Sequence, residues 1–224
     1  MRIEYYDHKG GTQSVLDTAR ASFGKKNKVY TTEENTKLLH YLAKHHHTSP
    51  FRHASITLQA RVPEFVARQW YKHVVGSEWS YKDTAWNEIS GRYIPYDEWY
   101  MPEDFHRQHE KKKQGASVEV HPESQYFIHK AKVLQEITDA LYKEMISAGV
   151  AFEEARIILP LTTYTEFYWS PSMQAAAHFC VLRQHQQAQT EIRFCADIVH
   201  NICLSYFGEA YEILHHYLSK SSEN

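Results

Sequence analysis

Strand-like alternation early in the chain and helical stripes late in it predict an α+β fold: an antiparallel sheet packed with helices, then a helical C-terminal half. From Ser55 to Val62 the apolar residues Ile56, Leu58, Ala60 and Val62 fall at every second position, the period of a half-buried strand. Phe127, Leu134, Ile137, Leu141 and Met145 instead recur at helical spacing, and helical patterns continue over residues 188–206 and 209–219. No GxGxxG follows a strand, so a Rossmann-type dinucleotide fold is not expected.

In chain order, Arg2 to His8 reads as a short strand stopped by Gly10-Gly11. Leu38, Leu39 and Leu42 mark an amphipathic helix ending before Ser49-Pro50. After the 55–62 strand, Pro63 sits where a helix starts, with Phe65, Val66 and Trp70 on its apolar side. Residues 74–85 lack a period and read as a loop. Residues 103–125 are charged and poor in apolar side chains, and read as a mobile surface excursion on a single domain spanning 1–224. Gly149 closes the 127–145 helix, and Ser170-Pro171 caps the helix that carries Arg183.

At 224 residues with a net charge of −2, the chain is long enough for a substantial core and offers no electrostatic case for nucleic-acid or membrane binding. No apolar run approaches a membrane span and the N-terminus is no signal peptide, so a soluble, cytoplasmic protein is expected. Cys180, Cys195 and Cys203 lie among apolar residues without a CxxC pair or an activating neighbour, which predicts buried thiols rather than a nucleophile. His45-His46-His47 reads as a solvated helix end rather than a metal site, because adjacent helical residues point apart. His215-His216 reads as a helix C-terminal turn, where imidazolium complements the dipole.

Residues 86–93, Trp-Asn-Glu-Ile-Ser-Gly-Arg-Tyr, hold the densest polar chemistry. Arg92 offers a planar donor fork suited to phosphate, Ser90 a hydroxyl, and Gly91 a backbone that permits close approach. Asn87 and Glu88 can read a polar ring edge. Together they suggest a site for an anionic heterocycle; the alternative is a polar loop.

With the preceding Pro63 to His73 segment, this octapeptide closely resembles the signature region of the flavin-dependent thymidylate synthases. Ala19-Arg20-Ala21-Ser22-Phe23, Thr48 to His53, Ala155 to Leu161, and Leu182-Arg183 with Ala188-Gln189 and Glu191-Ile192 agree with the family in order and spacing. The resemblance covers nearly the whole chain. It implies a homotetramer with active sites where subunits meet, FAD as cofactor, NADPH as reductant, and methylenetetrahydrofolate as carbon source for converting dUMP to dTMP.

The same resemblance assigns Gln69, Lys72, Ser90, Gly91, Arg92, Arg156 and Arg183 to dUMP. It assigns Ser22, His53, Lys72, His73, Asn87, Glu88, Ser172 and His178 to the flavin side. Arg183, His53 and Ser90 stand nearest the chemistry, Arg183 as the cation that stabilises charge developing on the uracil. Ser90 has no base at fixed spacing, so it is assigned to binding. The chain departs from the family where Lys72-His73-Val74 replaces the usual Arg-His-Arg, with extra residues before Asn87-Glu88. Lys82 in that insertion is the candidate to restore a cation on the FAD side. Ser172 and His178 stand where asparagines are common, His185 where an acid is, and Gln187 where a histidine is. A different C5-modified product, such as hydroxymethyl-dUMP or a dCMP derivative, and a non-catalytic nucleotide- or flavin-binding protein remain alternatives.

Overall fold

The computed structural model describes residues 1–22, 24, 28–73, 86–110 and 115–222. Strand β1 (Arg2–Lys9) leads into α1 (Thr12–Ala21) and α2 (Thr32–Lys44), followed by a 3-10 turn at Ser49–His53. Strand β2 (Ser55–Pro63) runs directly into α3 (Glu64–Trp70), and β3 is Trp86–Glu88. Strands β4 (His106–Gln108) and β5 (Ala116–Val120) precede the long α4 (Ser124–Ser147) and the short α5 (Phe152–Ala155). Strand β6 (Tyr164–Trp169) then gives way to α6 (Met173–Gln184), α7 (Thr190–Phe207) and α8 (Glu209–Ser222). A four-stranded sheet has the order β1-β2-β6-β3, and β4 pairs antiparallel with β5. This is the α+β architecture that the sequence predicts.

The chain forms two interleaved compact units. One comprises Met1, Arg61–Gln69 and Glu88–Phe167; the other comprises Arg2–Ala60, Trp70–Asn87 and Tyr168–Asn224. In the larger unit, Val15, Leu16, Leu39, Phe51, Trp70, Phe179 and the three cysteines are essentially removed from water. Trp70 stacks on Phe179 at 4.6 Å and meets Trp169 edge-on at 5.4 Å. In the smaller unit, Val62, Val66, Ala67, Tyr142 and Phe167 are buried.

Local signals explain most boundaries. Ile56, Leu58, Ala60 and Val62 all point inward along β2, as their alternation requires. Thr31 and Glu34 make a reciprocal capping box at the start of α2. Gly149 takes the left-handed conformation after α4 and Gly208 has a positive φ after α7.

Within the 103–125 stretch, the described residues contain the β4–β5 pair and the first residues of α4. The structure departs from the sequence reading at other points. Ser172, not Ser170-Pro171, caps α6 by accepting from Ala175 N at 3.2 Å. His215 and His216 lie in the middle of α8, which continues to Ser222, so neither serves as a C-terminal cation. His45 does cap α2, and His46 has a positive φ of 56°. Among the described residues, no helix is long and apolar enough to cross a membrane.

Candidate active site

In the smaller unit, the signature segment forms a turn anchored to β6. Ile89 N donates to Glu166 O at 2.9 Å, and the chain then reverses as Tyr93 N and Ile94 N donate to Ser90 O at 2.9 and 3.3 Å. Arg92 donates to Ser90 Oγ from its backbone N at 3.3 Å and from Nε at 3.4 Å, while its guanidinium lies 5.4 Å from the Tyr93 ring. The arginine is thereby tethered at Nε and exposed, with its terminal NH2 groups available for a phosphate.

Gly91 is required for a reason the sequence does not show. Its φ is not in the left-handed region, but a Cβ there would stand 2.2 Å from Cε2 of Tyr96. The glycine therefore admits the Tyr96 ring. Burial raises the Tyr96 pKa first, the Glu64 carboxylate raises it further, and the Gly91 N–H opposes them.

A carboxylate pair lies in the same unit. Glu88 accepts from the Thr165 hydroxyl, and Glu64 begins α3 with its N–H donated to Thr163 O at 2.9 Å. Thr163 and Thr165 are two apart around the start of β6, the spacing of residues on one face of an extended strand. Burial and then the neighbouring Glu88 charge raise the Glu64 pKa, with Arg68 and Arg156 pulling it back. Arg156 is exposed at the junction of α5 and the 3-10 turn 156–158, and Gln69 donates to Phe65 O at 3.2 Å within α3.

The larger unit holds a second polar centre. His73 follows α3, buried at 8% exposure, its backbone N donating to Trp70 O at 2.9 Å. Arg183 on α6 donates its Nε hydrogen to His73 Nε2 at 2.9 Å. An arginine cannot accept, so His73 is the neutral tautomer with its proton on Nδ1. Burial, then the Arg183 and His178 charges, push the His73 pKa down to about 4. His178, on α6 ahead of Arg183, is edge-on to His73 at 6.2 Å, and burial lowers its pKa. Burial also lowers the Arg183 pKa.

The remaining predicted residues in this unit are more scattered. Ser22 is the exposed residue ending α1, and His53 ends the 3-10 turn 49–53. Lys72 is exposed, 5.8 Å from the Tyr71 ring, and Asn87 is exposed on β3. Ser172 is fully buried, its hydroxyl committed to the α6 cap. Lys82 and the inserted loop 74–85 lie outside the described residues.

All three cysteines are buried, as expected, and burial raises their thiol pKa values: Cys180 and Cys195 to about 12, and Cys203 well above its usual value. None supplies a thiolate at neutral pH. Sequence reasoning missed Glu64, Tyr96 and Thr165. The only signal was the proximity of Glu64 to Gln69 on one short helix.

A family model described as "thymidylate synthase complementing protein" matches residues 4–207. A flavin-dependent thymidylate synthase of Thermus thermophilus is 38% identical over 192 residues, covering 85% of this chain and 67% of the relative. The enzyme of that name from Treponema denticola is 37% identical, covering 90% of this chain and 74% of its own. Among solved structures, the UMP/dUMP methylase PolB of Streptomyces cacaoi, bound to 5-Br dUMP, superposes with a TM-score of 0.81. It is 25% identical, over 98% of this chain and 94% of that one. A tethered arginine turn, a partly buried arginine–imidazole pair and a match over almost the full sequence converge, and the chain belongs to the flavin-dependent thymidylate synthase family.

Proposed function

We propose that this protein converts dUMP to dTMP, transferring a one-carbon unit from methylenetetrahydrofolate to uracil C5, with NADPH as reductant and FAD as the bound flavin. The observation that carries this reading is the Arg183–His73 pair. It fixes a permanent cation in a partly buried setting, where charge developing on a uracil carbonyl is stabilised without reorganisation. The protonated, buried thiols favour the flavin route over one that begins with cysteine attack.

The Ser90–Arg92 turn supplies the phosphate clamp, with Gln69 and Arg156 in the same unit. Lys72, His53 and His178 would hold FAD, which when bound and reduced by NADPH would supply the electrons for the final reduction. Four copies would also cover the apolar stripe on α4, where Leu134 and Ile137 are 65 and 60% exposed in the single chain. The test is product mass after incubation with dUMP, methylenetetrahydrofolate and NADPH. The expected product is dTMP; a hydroxymethyl product, turnover of dCMP instead, or binding without turnover would each replace this reading.

A further inference from the structure

We propose that Glu64 is a specificity residue that accepts a hydrogen bond from the sugar 3′-hydroxyl of the bound nucleotide. This rests on the reading of the chain as a dUMP-methylating enzyme and adds to it a residue to which the resemblance assigns no role.

The placement argues for the role. Glu64 is the first residue of α3, the helix that also carries Gln69, and its backbone is pinned to Thr163 O at 2.9 Å. Its side chain is half-buried, and among the described residues its carboxyl takes no hydrogen bond. A half-buried carboxyl without a donor is costly unless a ligand or water satisfies it. The neighbouring acceptor, Glu88, already takes the Thr165 hydroxyl.

The start of β6 ties Glu64 to the anion-binding turn: Thr163 O takes the Glu64 N–H, the Thr165 hydroxyl donates to Glu88, and Glu166 O takes the Ile89 N–H. Tyr96 lies against Gly91, and Glu64 is the charge that most raises the Tyr96 pKa. Arg156 acts on both Glu64 and Tyr96. With phosphate on Arg92, Ser90 and Arg156, a carboxyl in this position faces the sugar rather than the phosphate, since like charges repel. A sugar hydroxyl is the one neutral donor that a deoxynucleotide offers beside its phosphate. Lys and Arg groups would read phosphate there; a carboxyl reads O–H.

The experiment compares binding of dUMP and 2′,3′-dideoxyuridine monophosphate to the FAD-loaded protein by calorimetry. Wild type should bind dUMP about tenfold or more tightly than the dideoxy compound, the scale of a hydrogen bond to a charged acceptor. Glu64→Ala should lose that preference, binding both nucleotides about equally, and Glu64→Gln, which keeps a carbonyl acceptor, should retain part of it. Equal affinity of wild type for the two nucleotides overturns the proposal. So does an Ala variant that weakens both to the same degree, which would mark a structural role. If wild type binds neither nucleotide, the functional reading itself fails, an outcome distinct from loss of the sugar preference alone.

Discussion

Arg183 Nε donates to His73 Nε2 at 2.9 Å, joining the end of α6 to the residue that follows α3. The imidazole can hold this arginine only while it is neutral, and burial with the adjacent guanidinium keeps it so, down to about pH 4. The family's usual triplet carries arginines on both sides of this histidine; here Lys72 and Val74 flank it. The histidine itself is the member that touches Arg183.

Replacing His73 with Phe should therefore keep the packing against Phe179 but leave the arginine Nε without its acceptor. Turnover should fall roughly ten- to hundredfold, from the loss of a hydrogen bond to a charged group. Melting should change little, and His73→Gln, which offers a carbonyl, should recover part of the rate. Steady-state kcat with dUMP, read beside thermal melts, checks this.

Gly91→Ala should be harmful despite its small size, because the added carbon meets the Tyr96 ring at 2.2 Å. Overpacking of this kind costs roughly 1–3 kcal/mol. The double change Gly91→Ala with Tyr96→Ala should recover stability relative to Gly91→Ala alone, which a denaturant titration of wild type and these two variants would show.

The nucleotide and flavin sides should separate under mutation. Arg92→Ala should raise the dUMP dissociation constant about tenfold or more, while visible absorbance from bound FAD stays near wild type. Parallel calorimetry and absorbance spectra of one preparation provide the comparison.

Stability should fall on mild acidification. His73 and His215 each have a folded pKa of about 4, and burial also depresses His178 and His200. Between that value and the ordinary histidine value of about 6.5, the unfolded chain binds more protons. Stability is thus fully present above about pH 6.5 and is lost progressively toward pH 4. Replacing His215 with Gln removes one such group, distant in sequence from the residues assigned to catalysis. The difference in Tm between pH 7 and pH 5 should shrink in that variant.

Much of the fold was legible because it rests on local rules. Strand β2 showed its period plainly, Gly149 marked the end of α4, and three thiols among apolar neighbours read as buried. The histidine pair at 215–216 misled, because helix α8 runs on past it to Ser222 over largely polar residues that carry little apolar signal. The capping residue of α6 was missed by two positions, since serines stand at both 170 and 172 and only the chain's path decides which side chain turns inward. At the site, Arg92 stood out by its chemistry within the octapeptide, and Arg183 through the family resemblance. The pairings did not: His73 with Arg183 joins residues 110 apart, and Glu88 with Thr165 joins residues 77 apart. Gly91 was visible as a glycine, but its cause, the Tyr96 ring, depends on how the turn folds back.

Following the transferred carbon decides whether this chain methylates uracil through a flavin. Purified protein reconstituted with FAD is given NADPH, dUMP and methylenetetrahydrofolate labelled with 13C at the transferred methylene, and the nucleotide product is read by mass spectrometry. The expected product is dTMP carrying the label in its C5 methyl group, with none formed when flavin or NADPH is withheld. Unlabelled nucleotide recovered unchanged from a preparation that has bound FAD, or label found in a hydroxymethyl group, would contradict it.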